Sequence, residues 1–396
     1  TNNLLIEVSN VTDGNDINLK INLLSIAPFV SGEVLQAFAN RTDIYTQNDI
    51  YDVLVVNPEE ASQTDMLDFL ASKPTPMPSN LITNLISNTQ YKSEKGDLDM
   101  DYYVLKGNVE KAKEHFKDAP KMMKAFEHWF GPYPFYEDGF KLVEAPYLGM
   151  EHQSSVTYGN KYRNGYLGTD LSGTGIGLKF DFIIVHESGH EWFANNITNK
   201  DVADMWIHES FTAYSESLFI DYHFSTKEAE EYVIGTRRSI QNDKPLIGVY
   251  NVNQEGSGDM YYKGANIIHT LRQLMKNDEK WRYVLSGMNQ TFYHQTVTSK
   301  QVEKYLSQQM GVDLSAFFNQ YLRDIRIPTL EYSIKKGQLS YRWNNVVSQF
   351  KMPLKVIIDG KKTWIYPKEN WQNLKLNKNS IFSIDPNFYI FHKRTN

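Results

Sequence analysis

His186-Glu187-Ser188-Gly189-His190 constrains this chain more than any other stretch, because it ties a local fold to a set of ligands. Residues four apart on an α-helix stand one above the other, so the two imidazoles can bind one ion together. Glu187 sits beside that pair, where a carboxylate takes a proton from a metal-activated water. The preceding run, Phe180-Asp181-Phe182-Ile183-Ile184-Val185, is apolar enough to bury the other faces of the helix. Zinc suits imidazole, and catalytic zinc usually keeps three protein ligands and an open position. A helix with two surface histidines and no metal is the plainer reading. A third ligand decides between them.

Eighteen residues separate His190 from Glu209, which stands in Trp206-Ile207-His208-Glu209-Ser210-Phe211-Thr212-Ala213-Tyr214. Phe211, Tyr214, Leu218 and Tyr222 recur at helical spacing without Pro or Gly between them, so a second helix is expected. Two helices joined by a loop of about ten residues can pack antiparallel, which brings Glu209 back to the histidines. A His-His-Glu set leaves one tetrahedral corner open, as hydrolysis requires. Glu216 lies two turns further along and either orients a ligand histidine or simply faces solvent.

H-E-x-x-H-x-W, eighteen residues, then Glu in a W-L-N-E-G-F-A-like context resembles the zinc aminopeptidases of the membrane-alanyl type, a family that includes the leukotriene epoxide hydrolase. Two further motifs follow the same resemblance. Leu148-Gly149-Met150-Glu151-His152 is similar to the family's G-x-M-E-N strand motif, which implies that Glu151, with Gly149 and Met150, binds the substrate's free α-amine. Tyr261-Tyr262-Lys263-Gly264 matches Y-x-K-G, which implies that Tyr261 donates to the oxyanion of the reaction. The resemblance thus assigns His186, His190 and Glu209 to one Zn²⁺, and Glu187 and Tyr261 to catalysis. Five positions depart from the pattern: Leu148, His152, Ala194, His208 and Ser210 replace Gly, Asn, Gly, Asn and Gly. None removes a ligand, although His152 and His208 bring extra imidazoles toward the site.

Composition narrows the partners. A net charge of −6 in 396 residues gives no basic footprint, so nucleic acid is not expected. No apolar run approaches the ~20 residues of a membrane span, and the start lacks a basic-then-apolar signal pattern. The absence of cysteine rules out thiol ligands and disulfides, and is compatible with export to the periplasm or beyond. Residues 1–80 hold 11 acidic and 3 basic residues, a net of −8, which leaves +2 for the remainder and suggests a separate acidic module. Sequons at Asn10, Asn40, Asn196 and Asn289 are near chance in an Asn-rich chain.

The expected class is α+β, in three parts. Residues 1–87 form an amino-terminal module of unassigned fold, where the family carries a β-domain. Within it, Leu19 to Ile26 and Asp52 to Val56 read as strands, Asn57 to Leu70 as a helix, and Lys73 to Pro78 as an extended linker. Residues 88–327 resemble a mostly helical, thermolysin-like catalytic domain. In it Lys111 to Phe130 reads as one helix, Phe140 to Glu144 and Ser154 to Tyr158 as strands, and Thr298–Met310 and Leu314–Arg323 as helices. An edge strand near Glu151 could pair with a peptide backbone. Gly173-Thr174-Gly175-Ile176-Gly177 lacks a feeding strand and a Gly-Lys-Ser/Thr, so it reads as a flexible loop and not as a phosphate cradle. From Pro328 the apolar period is two, as in Leu339, Tyr341 and Trp343, with Asp359-Gly360 as a hairpin turn. Residues 328–396 are therefore expected to form a small antiparallel β-sandwich. The family's large helical carboxyl-terminal domain does not follow in this sequence, so an open product side is expected.

The resemblance implies removal of first residues from peptides with free amino termini. A thermolysin-like endopeptidase shares the ligand set without the amine anchor, epoxide hydrolysis is a third chemistry of the family, and a non-catalytic scaffold is the alternative outside enzymes.

Overall fold

A computed structural model describes residues 6–13, 16–23, 82–83, 89–93 and 95–395. The chain divides into two compact units, Thr1–Ile82 and Thr83–Asn396. In the first, β1 (Ile6–Asp13) and β2 (Asp16–Leu23) pair antiparallel, with Ile6 opposite Leu23. The expected Leu19–Ile26 strand thus overlaps β2. The strand, helix and linker expected between 52 and 78 lie outside the described residues. A two-residue strand, β3 (Ile82–Thr83), straddles the boundary.

The second unit opens with a mixed sheet. β4 (Thr89–Ser93) pairs antiparallel with β5 (Gly96–Leu105), which runs parallel to β6 (Phe140–Glu144). β6 is parallel to β8 (Val156–Tyr158), and β7 (Gly149–Met150) closes this side of the sheet antiparallel to β8. Leu98, Met100, Tyr102 and Val104 alternate inward along β5, the period of a sheet with one covered face. The strand bearing the Gly149-Met150-Glu151 motif is an edge strand, as the peptide-pairing expectation requires.

One long helix was expected from Lys111 to Phe130. Two form instead, α1 (Val109–His115) and α2 (Asp118–Phe130). Pro120 has no N–H to give to the carbonyl of Phe116, and the chain breaks there before restarting. The apolar face of α2 packs Phe126 edge-on against Trp192, ring centroids 5.6 Å apart. Then come α3 (Phe182–Gly189), α4 (Trp206–His223) and α5 (Thr226–Gly235). α6 (Tyr262–Met275), α7 (Asp278–Thr291), α8 (Ser299–Met310) and α9 (Ser315–Leu322) complete the helical layer. Every residue of α4 from Trp206 to Ile220 is buried, so this helix is the centre of the core, with neighbours on all sides.

The glycine loop is held by hydrogen bonds within itself. Asp170 accepts backbone N–H bonds from Ser172 and Gly175, and a short 3₁₀ turn, Ile176–Lys179, leads toward α3. Between α3 and α4, β9 (Ile197–Asn199) pairs parallel with β10 (Gln295–Val297).

Beyond Pro328 two small sheets form. One orders β15 (Gln372–Lys375), β12 (Gln338–Asn344), β11 (Thr329–Lys335) and β17 (Phe391–Arg394). The other orders β14 (Lys361–Ile365), β13 (Leu354–Ile358) and β16 (Phe382–Ile384). Asp359 (φ 52°) and Gly360 (φ 76°) make the turn between β13 and β14, the left-handed pair that a two-residue hairpin needs. One pairing departs from the antiparallel expectation: β17 runs parallel to β11. The chain reaches it only after crossing the second sheet, and a parallel neighbour needs such a long return. Residues 386–389 fasten this part to the helices, Asn387 Oδ1 lying 2.9 Å from His269 Nε2 and Tyr321 donating to the Tyr389 carbonyl at 2.7 Å. Among the described residues no helix is long and apolar enough to cross a membrane.

Candidate metal centre and active site

α3 begins where Asp181 caps it, its carboxylate accepting the N–H groups of Ile183 and Ile184. The same carboxylate accepts from Tyr158 Oη at 2.6 Å and Asn160 Nδ2 at 2.8 Å, which ties the helix start to β8. α3 ends at Gly189 and His190 leads into a wider, π-type turn over Glu191–Asn196. The imidazoles of His186 and His190 nevertheless remain neighbours, with ring centroids 5.2 Å apart.

α4 crosses α3 antiparallel, for His186 meets Glu216 while His190 meets Glu209 and Thr212. Gly189 allows the approach, since a Cβ there would stand 2.7 Å from Ser215 Oγ. Glu209 Oε2 lies 3.5 Å from His190 Nε2 and 3.8 Å from His186 Nε2. These distances are too long for good hydrogen bonds, and Glu209 Oε2 is buried without a partner.

The donor set fits a cation. The Nδ1 of His186 is held by Glu216 Oε1 at 2.7 Å, and that of His190 faces the Phe193 carbonyl at 3.1 Å and Thr212 Oγ1 at 3.2 Å. Both Nε2 atoms are therefore turned toward the orphaned oxygen, and one atom from each of the three residues lies within 4.8 Å of the others. Tetrahedral zinc with bonds of about 2.0–2.1 Å sets its ligands roughly 3.4 Å apart, within a few tenths of an ångström of the two distances from Glu209 Oε2 to the imidazoles. Burial presses His186 toward its neutral form, yet the neighbouring carboxylates of Glu209 and Glu216 hold its pKa well above the ordinary value. This pocket is short of positive charge.

Glu187 projects from the same turn. Burial raises its carboxyl above the usual range, the two histidines pull it down, and Glu151 and Glu209 push it up again. Glu151 follows directly on β7, and one donor atom each of Glu151, Glu187 and His190 lies within 4.8 Å of the others. Gly149 is required for this, because a Cβ there would stand 2.8 Å from Ile183 Cγ2 and 3.0 Å from Glu187 Cγ. Met150, by contrast, is largely exposed.

Tyr261 precedes α6 and lays its ring over His186, with centroids 6.0 Å apart. Its hydroxyl approaches Glu209, and burial together with the charges of Glu209, Glu151 and Glu187 pushes its pKa far up. The hydroxyl therefore keeps its proton at neutral pH. Seven of the eight residues singled out from the sequence thus meet around one corner of α3, and the Met150 side chain is not among them.

Two others do not join them. His152 is exposed. His208 is buried and accepts the Asn199 N–H at Nε2 over 2.8 Å, and burial pushes its pKa down to about 4. It is a neutral structural acceptor. Sequence reasoning missed Thr212, one turn after Glu209 and so on the same face, and the pair Glu191 and Asn195 in the π-type turn. Asn196 and Asn289, two of the sequon residues, are buried and bonded to each other at 3.0 Å.

Comparison with known proteins follows the same outline. The chain is 24% identical over 267 residues to aminopeptidase N of Lactococcus lactis subsp. lactis, covering 61% of this chain and 30% of that protein. It is 20% identical over 301 residues to probable aminopeptidase 2 of Sulfurisphaera tokodaii, covering 71% and 38%. It is 24% identical over 263 residues to leukotriene A-4 hydrolase of Xenopus laevis, covering 62% and 41%. The chain therefore spans about two fifths or less of the length of these relatives. A solved structure of Legionella pneumophila aminopeptidase A, in complex with aspartic acid, shares the fold with a TM-score of 0.61 at 14% identity, over 78% of this chain and 38% of that one. The model of the peptidase family M1 domain matches residues 114–321, just over half of the chain, and spans both α3 and α4. On that match, and with the ligand set it encloses, the chain belongs to peptidase family M1.

Proposed function

We propose that this chain carries the catalytic centre of a zinc-dependent aminopeptidase, which removes the first residue from peptides with a free amino terminus. One observation carries the reading: the Glu151 carboxylate stands beside Glu187 and His190. An anionic group at that distance suits an ammonium one residue from the scissile bond, and an endopeptidase has no use for it. The relatives named as aminopeptidases support the same assignment.

His186, His190 and Glu209 would hold one Zn²⁺, which supplies Lewis acidity toward a water and the scissile carbonyl. The remaining work belongs to the chain. Glu187, with its raised affinity for protons, accepts the water's proton and delivers it to the departing amine, general-base action worth ~10²–10⁴ in rate. Tyr261 donates its hydroxyl hydrogen to the oxyanion that develops on the carbonyl. Edge strand β7 offers backbone groups to the substrate, and Glu151 at its end takes the ammonium. Glu216 and Tyr232 keep His186 oriented. Residues 88–327 form the catalytic domain in this reading, 328–396 a β-sandwich docked against α6 and α9, and 1–87 a distinct module.

The test is a Glu151→Gln variant assayed with matched free and N-acetylated peptides. Wild type should cut only the free form, and the variant should lose that activity while retaining zinc. A variant that still prefers free amino termini removes Glu151 as the amine anchor, and wild type that cuts acetylated peptides internally supports the endopeptidase reading.

A further inference from the structure

Two side chains that follow the second histidine, Glu191 and Asn195, reach the loop that bears Glu151. α3 gives way at His190 to a π-type turn, in which Asn195 N–H bonds the His190 carbonyl at 3.0 Å, five residues back. The wider turn carries Glu191 and Asn195 onto the segment between β7 and β8. Glu191 Oε1 accepts the Ser154 N–H at 2.7 Å, and Asn195 Nδ2 donates to the Glu151 carbonyl at 2.9 Å. The two grips fall on the two ends of Glu151–Ser154. Ser154 has φ 55°, the left-handed region that a residue with a Cβ adopts only when its surroundings insist. Tyr133 Oη, 3.3 Å from Ser154 Oγ, adds a third fastening.

Glu191 has no access to substrate. It is 0% exposed, and its second oxygen has no hydrogen-bond partner. A carboxyl group buried at such cost, with one oxygen on a strained loop, serves what that loop carries.

We propose that Glu191 and Asn195 are positioning residues: they lock the Glu151 loop to the metal-site helix and so set how tightly a substrate's free amine is held. The inference rests on the reading of Glu151 as the amine anchor. Sub-ångström placement of such a group governs its worth, and rigid support is what secures it.

Two small inhibitors separate amine binding from metal binding: alanine hydroxamate, and propanohydroxamate, which lacks only the amine. Zinc-loaded wild type should prefer the amine-bearing compound. Glu191→Leu and Asn195→Ala should each cut that preference about tenfold, leaving the inhibition constant for propanohydroxamate within about twofold. Glu191→Gln keeps an oxygen for the Ser154 N–H and should restore the preference. In metal-free protein, amide exchange at Ser154 should quicken in Glu191→Leu and not in Glu191→Gln. Leucine and alanine variants that hold zinc and keep the full preference overturn the proposal, as does equal loss for both inhibitors. Should Glu191→Leu fail to fold, Asn195→Ala and Glu191→Gln decide alone. Failure of the underlying reading looks different: Glu151→Gln would then leave the wild-type preference intact.

Discussion

His186 Nδ1 and Glu216 Oε1 are 2.7 Å apart, and the other oxygen of Glu216 accepts from Tyr232 Oη at 2.7 Å. All three groups are buried. This relay fixes which nitrogen of His186 is turned toward Glu209, where it would meet a metal, and raises its basicity. Glu216→Ala should weaken zinc binding 10–100-fold, read by competition with a chromogenic chelator. Unchanged affinity would reduce Glu216 to a packing role.

Tyr261→Phe should retain zinc and its melting temperature but lose about 10²–10³ in kcat, the usual cost of one oxyanion donor. KM should change little, because the hydroxyl matters where charge develops. A variant with near-wild-type kcat would exclude the tyrosine from the reaction.

His208 gives a pH dependence of stability. Burial lowers its pKa from 6.5 to about 4, so the folded protein holds it neutral. The unfolded chain takes up that proton more readily, so this stabilisation is complete above pH 6.5 and fades as pH falls toward 4. His208→Gln keeps an acceptor for the Asn199 N–H and does not titrate. Urea melts should show wild type losing stability relative to this variant as pH falls from 7.5 to 4.5. Parallel losses would mean that the imidazole is not the titrating group.

Gly264→Ala tests the packing that aligns α6 with α4. A Cβ at Gly264 would stand 1.9 Å from Ser210 Oγ and 2.5 Å from Ser210 Cβ. The helices must separate, at a cost of about 1–3 kcal/mol in a urea midpoint measurement. Tyr261, one residue before α6, should shift with them and lower kcat as well.

The site was more legible in the sequence than the fold around it. Helical spacing alone put His186 and His190 together, and an eighteen-residue interval returned Glu209, because both depend on backbone geometry that side chains seldom override. The break at Phe116 and Lys117 was readable from the missing N–H of Pro120 but was hidden by the amphipathic pattern that continues across it. The parallel placement of β17 was not readable, since alternation along a strand is the same for either direction of its neighbour. Glu191 and Asn195 escaped notice for a related reason. Their partners lie 37 and 44 residues away, and the π-type turn that aims them leaves no mark in residue periodicity.

Zinc analysis of the metal-supplemented protein, coupled to X-ray absorption at the zinc edge, tests the central claim most directly. One zinc per chain is expected, with two imidazole nitrogens and a carboxylate oxygen at about 2.0–2.2 Å, and with binding abolished in His190→Ala and strongly weakened in Glu209→Ala. Substoichiometric zinc in wild type, or full binding in both variants, would contradict it.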